Sequence, residues 1–145
     1  MELTIRYHAG VMTLNVDNFL YNTNIKNFKK LLKIIDESYT PEARDVLKNH
    51  MSGYLETVDD RLKVYANNVV NARTEYKEQK PVLDALINSR DRYRKNTPPY
   101  KDLMQRVKQQ REKMQNLRHT YLSNEREFKR VLNRKKFYEK CLELM

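Results

Sequence analysis
The 145 residues are too charged for a large compact core: 33% are Asp, Glu, Lys or Arg against 39% hydrophobic, with two Gly and no Trp. The 29 Lys and Arg against 19 Asp and Glu leave a formal charge of +10, which favours polyanionic partners such as nucleic acid, an acidic protein face or anionic lipid. Cys141, the one cysteine, cannot close an intramolecular disulfide, no run approaches 18 consecutive apolar residues, and the first residues lack the apolar core of a secretory signal. A cytoplasmic, mainly α-helical protein is the expectation.

Leu3, Ile5 and Tyr7 alternate with Glu2, Thr4 and Arg6, and Met12, Leu14 and Val16 alternate with Thr13, Asn15 and Asp17. Two period-2 runs around His8, Ala9 and Gly10 predict a β-hairpin in which Gly10 is free to take a positive φ angle. An isolated hairpin is marginal in water, so its apolar face needs a support. The next segment supplies one: Asn24 is a good N-cap, and Ile25, Phe28, Leu31, Leu32 and Ile35 form one stripe opposite Lys26, Lys29, Lys30 and Lys33. The spacing predicts a short helix to about Glu37. A lysine-rich amphipathic helix can also lie on an anionic membrane, but with a hairpin to cover, this one reads as structural.

Thr40, Pro41 and Glu42 give a cap, a first-turn proline and an acidic residue for the helix dipole, so a long helix is predicted from there. Its seam reads Leu47, Met51, Tyr54, Val58, Leu62, Tyr65, Val69, then Arg73 or Ala72, and Tyr76, an eleven-residue pattern that favours a straight or slightly right-handed arrangement. Gly53 weakens this helix without ending it. Pro81 removes a hydrogen bond to the Lys77 carbonyl, and because Val82, Leu83, Leu86 and Ile87 continue an apolar face, a kink near 78–80 is expected rather than a stop. Asn96, Thr97, Pro98 and Pro99 do stop it, with Thr97 placed to cap a last helix.

That last helix carries the strongest pattern in the chain. Alternating steps of three and four give Tyr100, Leu103, Val107, Gln110, Met114, Leu117, Tyr121, Asn124, Phe128, Val131, Lys135, Tyr138, Leu142 and Met145, and only Gln110, Asn124 and Lys135 are polar. A 3.5-residue repeat over more than six heptads is a coiled-coil seam, and its polar interruptions commonly set register or oligomeric state. With a short loop between them the two long helices pack antiparallel. The predicted fold is therefore mainly α: an elongated antiparallel helical hairpin over 40–145, turning near 96–99, with a base of β-hairpin and short amphipathic helix over 1–39, the two forming one structural unit.

Chemistry of the catalytic kind finds no purchase in this sequence. His8, His50 and His119 are far apart, no CxxC or HExxH spacing occurs, and two glycines cannot build a phosphate cradle. No catalytic residue, metal, cofactor or small-molecule substrate is expected, and a thin helical hairpin seldom encloses a pocket. Two basic clusters remain. Arg90, Arg92, Tyr93, Arg94, Lys95, Tyr100 and Lys101 surround the expected turn, where arginine forks grip phosphates and tyrosine rings stack on bases; cations in a last helical turn also complement its dipole. Arg126, Lys129, Arg130, Arg134 and Lys136, with Lys135, form a second stripe. Antiparallel pairing sets it opposite Asp59, Asp60 and Arg61, and Glu125 precedes Lys129 by four residues, so partial neutralisation is expected.

Three functions follow as expectations. The first is a non-enzymatic protein-protein interaction or assembly module, by self-association or docking on a protein partner. The second is a nucleic-acid-binding accessory protein using the basic, tyrosine-containing turn. The third is an adaptor or inhibitor seated on an acidic groove of a larger complex.

Overall fold
A computed structural model describes residues 1–38 and 41–145. The chain is mainly α-helical and built as expected: an N-terminal β-hairpin, short helices, and two long helices packed as a helical hairpin. Its residues cluster into two compact units, Met1–Arg61 with Val131–Met145, and Leu62–Arg130.

In the first unit, β1 (Glu2–Tyr7) pairs antiparallel with β2 (Gly10–Asn15), Leu3 opposite Leu14 and Ile5 opposite Met12. Period-2 alternation puts Leu3 and Ile5 on the buried face. The turn is His8 and Ala9, and Gly10 takes a φ of +143° as the sequence suggested. A side chain there meets no atom within 4 Å, so replacement is strained by backbone alone. The second strand ends two residues sooner than expected, at Asn15 rather than Asp17. Val16 does not extend β2 but opens a helix, α1 (Val16–Asn22), because Asn15 Oδ1 accepts from the Asn18 backbone N–H at 2.9 Å and caps it. Helix α2 (Ile25–Glu37) starts at the predicted cap, with Asn24 Oδ1 accepting from the Asn27 N–H at 2.9 Å. Its four lysines are exposed, and Phe28, Leu31, Leu32 and Ile35 are buried.

Helices α3 (Glu42–Asp91) and α4 (Pro98–Glu143) pass through both units. Pro41 sits just ahead of the first helical residue, and the predicted Thr40 cap lies outside the described residues. The start of α3 and the end of α4 complete the first core: Ala43, Leu47 and Met51 meet Tyr138 and Cys141, with Tyr54 edge-on to Tyr138 at 5.0 Å between centroids. Burial pushes the Cys141 thiol up to about 12 and raises the Tyr138 hydroxyl as well. At pH 8 iodoacetamide should therefore alkylate the native thiol about a thousandfold more slowly than the urea-unfolded one, since only the thiolate reacts. The stability linked to this neutral thiol is complete below about pH 8.5 and falls as pH rises toward 12.

In the second unit the two helices run antiparallel, as the contacts show: Asn68 meets Asn124 at 3.1 Å, Arg73 meets Glu125 at 2.6 Å, Tyr76 meets Tyr121 at 6.0 Å between centroids, and Gln79 meets Gln110 at 2.9 Å. Numbers rise along one helix as they fall along the other. Thirteen of the fourteen seam positions lie in α4 and Met145 just beyond it, and all fourteen are buried or half-buried. The α3 seam differs from its prediction. It runs through Leu47, Met51, Tyr54 and Val58, takes one extra step of four to Leu62, then continues as a heptad through Tyr65, Val69, Ala72, Tyr76, Gln79 and Leu83. The eleven-residue pattern is thus a single stutter, which unwinds a supercoil locally rather than reversing its hand. Ala72, not Arg73, is the buried residue.

Helix α3 is unbroken at Pro81. Close by, the Gln110 side-chain amide donates to the Gln79 carbonyl at 3.1 Å and to its Oε1 at 2.9 Å, which satisfies a polar group inside the seam. Gly53 lies in the helix interior, and a Cβ there meets no atom within 4 Å. Gly53→Ala should raise stability by about 0.5–1 kcal/mol through helix propensity. Gly10→Ala should lower it by more than about 1 kcal/mol. Thermal unfolding followed by circular dichroism separates the two signs.

Candidate polyanion-binding surface
Charge is divided unevenly between the units. Residues 62–130 hold 17 Lys and Arg against 8 Asp and Glu, a formal +9, whereas residues 1–61 with 131–145 hold 12 against 11, a formal +1. Nearly all the net positive charge of the chain thus belongs to the second unit, and the first carries its cations among as many acids.

The predicted basic turn lies in the second unit. Helix α3 ends at Asp91, so Arg90 alone is in its last turn, and the dipole argument does not extend to Arg92, Arg94 and Lys95 as the sequence reading allowed. A tight turn follows, in which the Thr97 N–H donates to the Arg94 carbonyl and Asn96 takes a φ of +67°. This is the third turn position, where asparagine tolerates the left-handed region that most residues avoid. The Thr97 carbonyl accepts the first helical bond of α4 from Lys101, while its hydroxyl turns back to donate to the Arg94 carbonyl at 2.7 Å. Pro98 and Pro99 occupy the first turn, where their missing N–H groups leave nothing unsatisfied.

Arg90 is engaged: its Nε donates to Asp91 Oδ1 at 3.0 Å and its guanidinium lies 6.0 Å from the centre of the half-buried Tyr100 ring. Arg92, Arg94, Lys95 and Lys101 are exposed, and no carboxylate pairs with them among the described residues. Tyr93 is 48% exposed beside them, a free ring for stacking.

The second stripe is dispersed. Arg134 packs over the Tyr21 ring at 4.1 Å and is 6.0 Å from that of Tyr54, so it is part of the first unit's structure. Lys135 binds Asp59 at 2.7 Å, the expected cross-helix pairing, and that carboxylate raises its ammonium pKa above the ordinary lysine value. Arg130 pairs with Glu127 at 2.7 Å. Glu125 does not hold Lys129; the Arg73 guanidinium reaches it from the facing helix instead. Arg126, Lys129 and Lys136 are exposed.

Five further cations emerge only from the helix pairing. A cavity of about 380 Å³ is lined by Arg73, Tyr76, Lys77, Lys80 and Tyr121. A second of about 260 Å³, lined by Leu83, Arg111, Met114, Gln115 and Arg118, shares Tyr76 with the first. Arg73 is fixed twice, by Glu125 and by the Tyr121 ring 5.3 Å away. Lys77, Lys80, Arg111 and Arg118 are exposed and have no carboxylate partner among the described residues. Tyr76 and Tyr121 are legible as seam residues and Arg73 as an alternative one, whereas Lys77, Lys80, Arg111 and Arg118 carry no signal of a site in the sequence; counting inward from the turn at 96–99 pairs these segments and finds them.

Elsewhere, His50 is half-buried on α3 with Nδ1 3.4 Å from Asp17, and no group of His, Cys, Asp and Glu suited to a metal ion occurs among the described residues. No described helix is long and apolar enough to cross a membrane. Comparison with protein-family models, with curated proteins and with solved structures finds no match.

Proposed function
We propose that this chain is a non-enzymatic binding protein of the cytoplasm that holds a polyanion, nucleic acid, on its helical unit 62–130. The division of charge carries the reading: +9 on that unit against +1 on the other. A charge excess serving only solubility has no need to gather on one unit, whereas phosphate binding requires cations free of carboxylates on one surface. Arg92, Arg94, Lys95, Lys101, Lys77, Lys80, Arg111 and Arg118 are exposed cations of that unit with no carboxylate partner among the described residues. The first unit, with its own apolar core, then anchors both helices.

Mobility-shift titration of a labelled 30-nucleotide single strand and its duplex tests this. Replacing Arg92, Arg94 and Lys95 with Gln should weaken binding, and replacing Lys26, Lys29 and Lys30 on α2 with Gln should leave it unchanged. Equal losses from the two sets, or no binding by the unaltered chain, would overturn the proposal.

A second reading, assembly through protein contacts, rests on apolar side chains left open on the same unit, Val64 at 56% and Val70 at 62% exposure. It predicts concentration-dependent self-association, or capture of a protein partner, that high salt does not abolish. A light-scattering mass that stays at the monomer value across concentration counts against the self-associating form.

A further inference from the structure
We infer that the nucleic acid is single-stranded and that it lies in the groove centred on Tyr76, with the basic turn as a secondary contact. This rests on the polyanion-binding reading and assigns it a site.

Both cavities lie in the second unit and share Tyr76 as a lining residue, and together they define the groove. Helical geometry explains how five cations come to rim it. Arg73, Lys77 and Lys80 follow at steps of four and three, so they leave α3 on one flank; Arg111 and Arg118 are seven residues apart, two turns, and leave α4 on one flank. Each set spans about 10 Å along its helix at 1.5 Å per residue. No carboxylate lines either cavity among the described residues, and Glu125, which reaches Arg73 at 2.6 Å, is occupied by it. The rim is therefore a double row of cations, four of them available to phosphate.

The floor distinguishes the ligand. Packed helices lie about 8–10 Å apart, so the groove between them is narrow, and a rigid duplex presents its phosphates on the outside of a much wider cylinder. Phosphate-tracking on a duplex needs protruding cations and gains nothing from recessed phenol rings. A single strand can lower its bases toward Tyr76 and Tyr121 while its backbone runs between the cations, the combination of charge and aromatic surface that suits unpaired bases without sequence preference. Arg73, held between Glu125 and the Tyr121 ring, is preordered to present its remaining N–H groups.

Fluorescence anisotropy of the full chain with labelled 12-mers of oligothymidine and oligouridine, and with a 12-base-pair duplex, provides the test. The single strands should bind at least tenfold more tightly than the duplex. Lys77→Gln, Lys80→Gln and Arg118→Gln together should weaken single-strand binding at least tenfold and lower the magnitude of the log–log salt slope by about 2, at 0.7 per phosphate contact. The melting curve of the variant serves as the folding control. With 5-iodouridine in the strand, photo-crosslinks should map to Tyr76 or Tyr121. Duplex binding equal to or tighter than single-strand binding overturns the inference, as does an unaltered affinity of the groove variant beside a loss from Arg92→Gln, Arg94→Gln and Lys95→Gln; the wider reading survives either result. Binding only to vesicles of anionic lipid, or to no nucleic acid, removes both.

Discussion

Raising salt from 50 to 200 mM should weaken single-strand binding by about fiftyfold if the four unpaired groove cations make the contacts, and by about nine-hundredfold if Arg92, Arg94 and Lys95 join them. The arithmetic is counterion release: each phosphate neutralised contributes about 0.7 to the log–log slope for a single strand. Four contacts give a slope near −2.8 and seven give one near −4.9. The slope therefore counts the cations engaged and separates the groove alone from the groove with the turn. Lys26, Lys29, Lys30 and Lys33 on α2 should add nothing, because they share their unit with a nearly equal number of acids. Isothermal anisotropy titrations at four or five salt concentrations give the slope directly, and a value near zero would exclude phosphate contacts altogether.

Phe28→Ala should cost about 3–5 kcal/mol, the loss of apolar transfer together with the cavity left behind. The side chain is 0% exposed and belongs to the core that Ile5, Leu20, Leu47 and Tyr138 share. A 13-residue helix such as α2 is marginal by itself, so its place depends on docking this stripe. Against a total stability of about 5–15 kcal/mol, the substitution should leave a substantial unfolded population under mild denaturant. Urea unfolding followed by circular dichroism measures the loss, and faster alkylation of Cys141 locates it in the first unit. Phe28→Leu, which keeps most of the volume, should cost less than about 1.5 kcal/mol. The neighbouring exposed Lys29→Ala should stay within about 0.5 kcal/mol of the unaltered chain.

Much of this architecture can be read from periodicity alone, because its elements are long and their apolar positions regular. Every heptad position of the last helix is buried or half-buried, although Cys141 is buried outside that pattern, and the cap at Asn24 and the turn at Asn96 to Pro99 are local signals that the structure uses. Helix α1 was hidden by a coincidence. Val16 continues the period-2 run of β2 yet is buried as a helical residue, and Asn15 looks like a polar strand position until its cap is seen. The consequence reaches 113 residues along the chain: Tyr21, on that helix, receives Arg134, so a cation expected to lie opposite acids is packed on a ring instead. The groove was hidden for another reason. Arg73, Lys77 and Lys80 are separated in sequence from Arg111 and Arg118 by the whole of the turn, and neither set is dense enough to stand out. Their meaning comes from pairing, which cancels Glu125 against Arg73 and leaves the other four cations without acids.

The first unit is assembled from two separated pieces of chain, 1–61 and 131–145, with 69 residues of the other unit between them. Tyr138 and Cys141 thus reach the core only after a long loop has closed, and closure of a loop costs entropy that grows with the logarithm of its length. Local pairing that zips outward from the Asn96 turn shortens that loop step by step before the core has to close it. The order of events is then set by topology: the hairpin forms early, from contacts near in sequence, and the β-hairpin, α1 and α2 wait with an incomplete apolar face until the last helical turns arrive. During synthesis on a ribosome that interval lasts as long as residues 62–145 take to emerge, about 4–17 seconds at 5–20 residues per second. Throughout it Phe28, Leu47 and Met51 lack Tyr138 and Cys141 from their core, and apolar surface left open in this way is what exposes a nascent chain to aggregation.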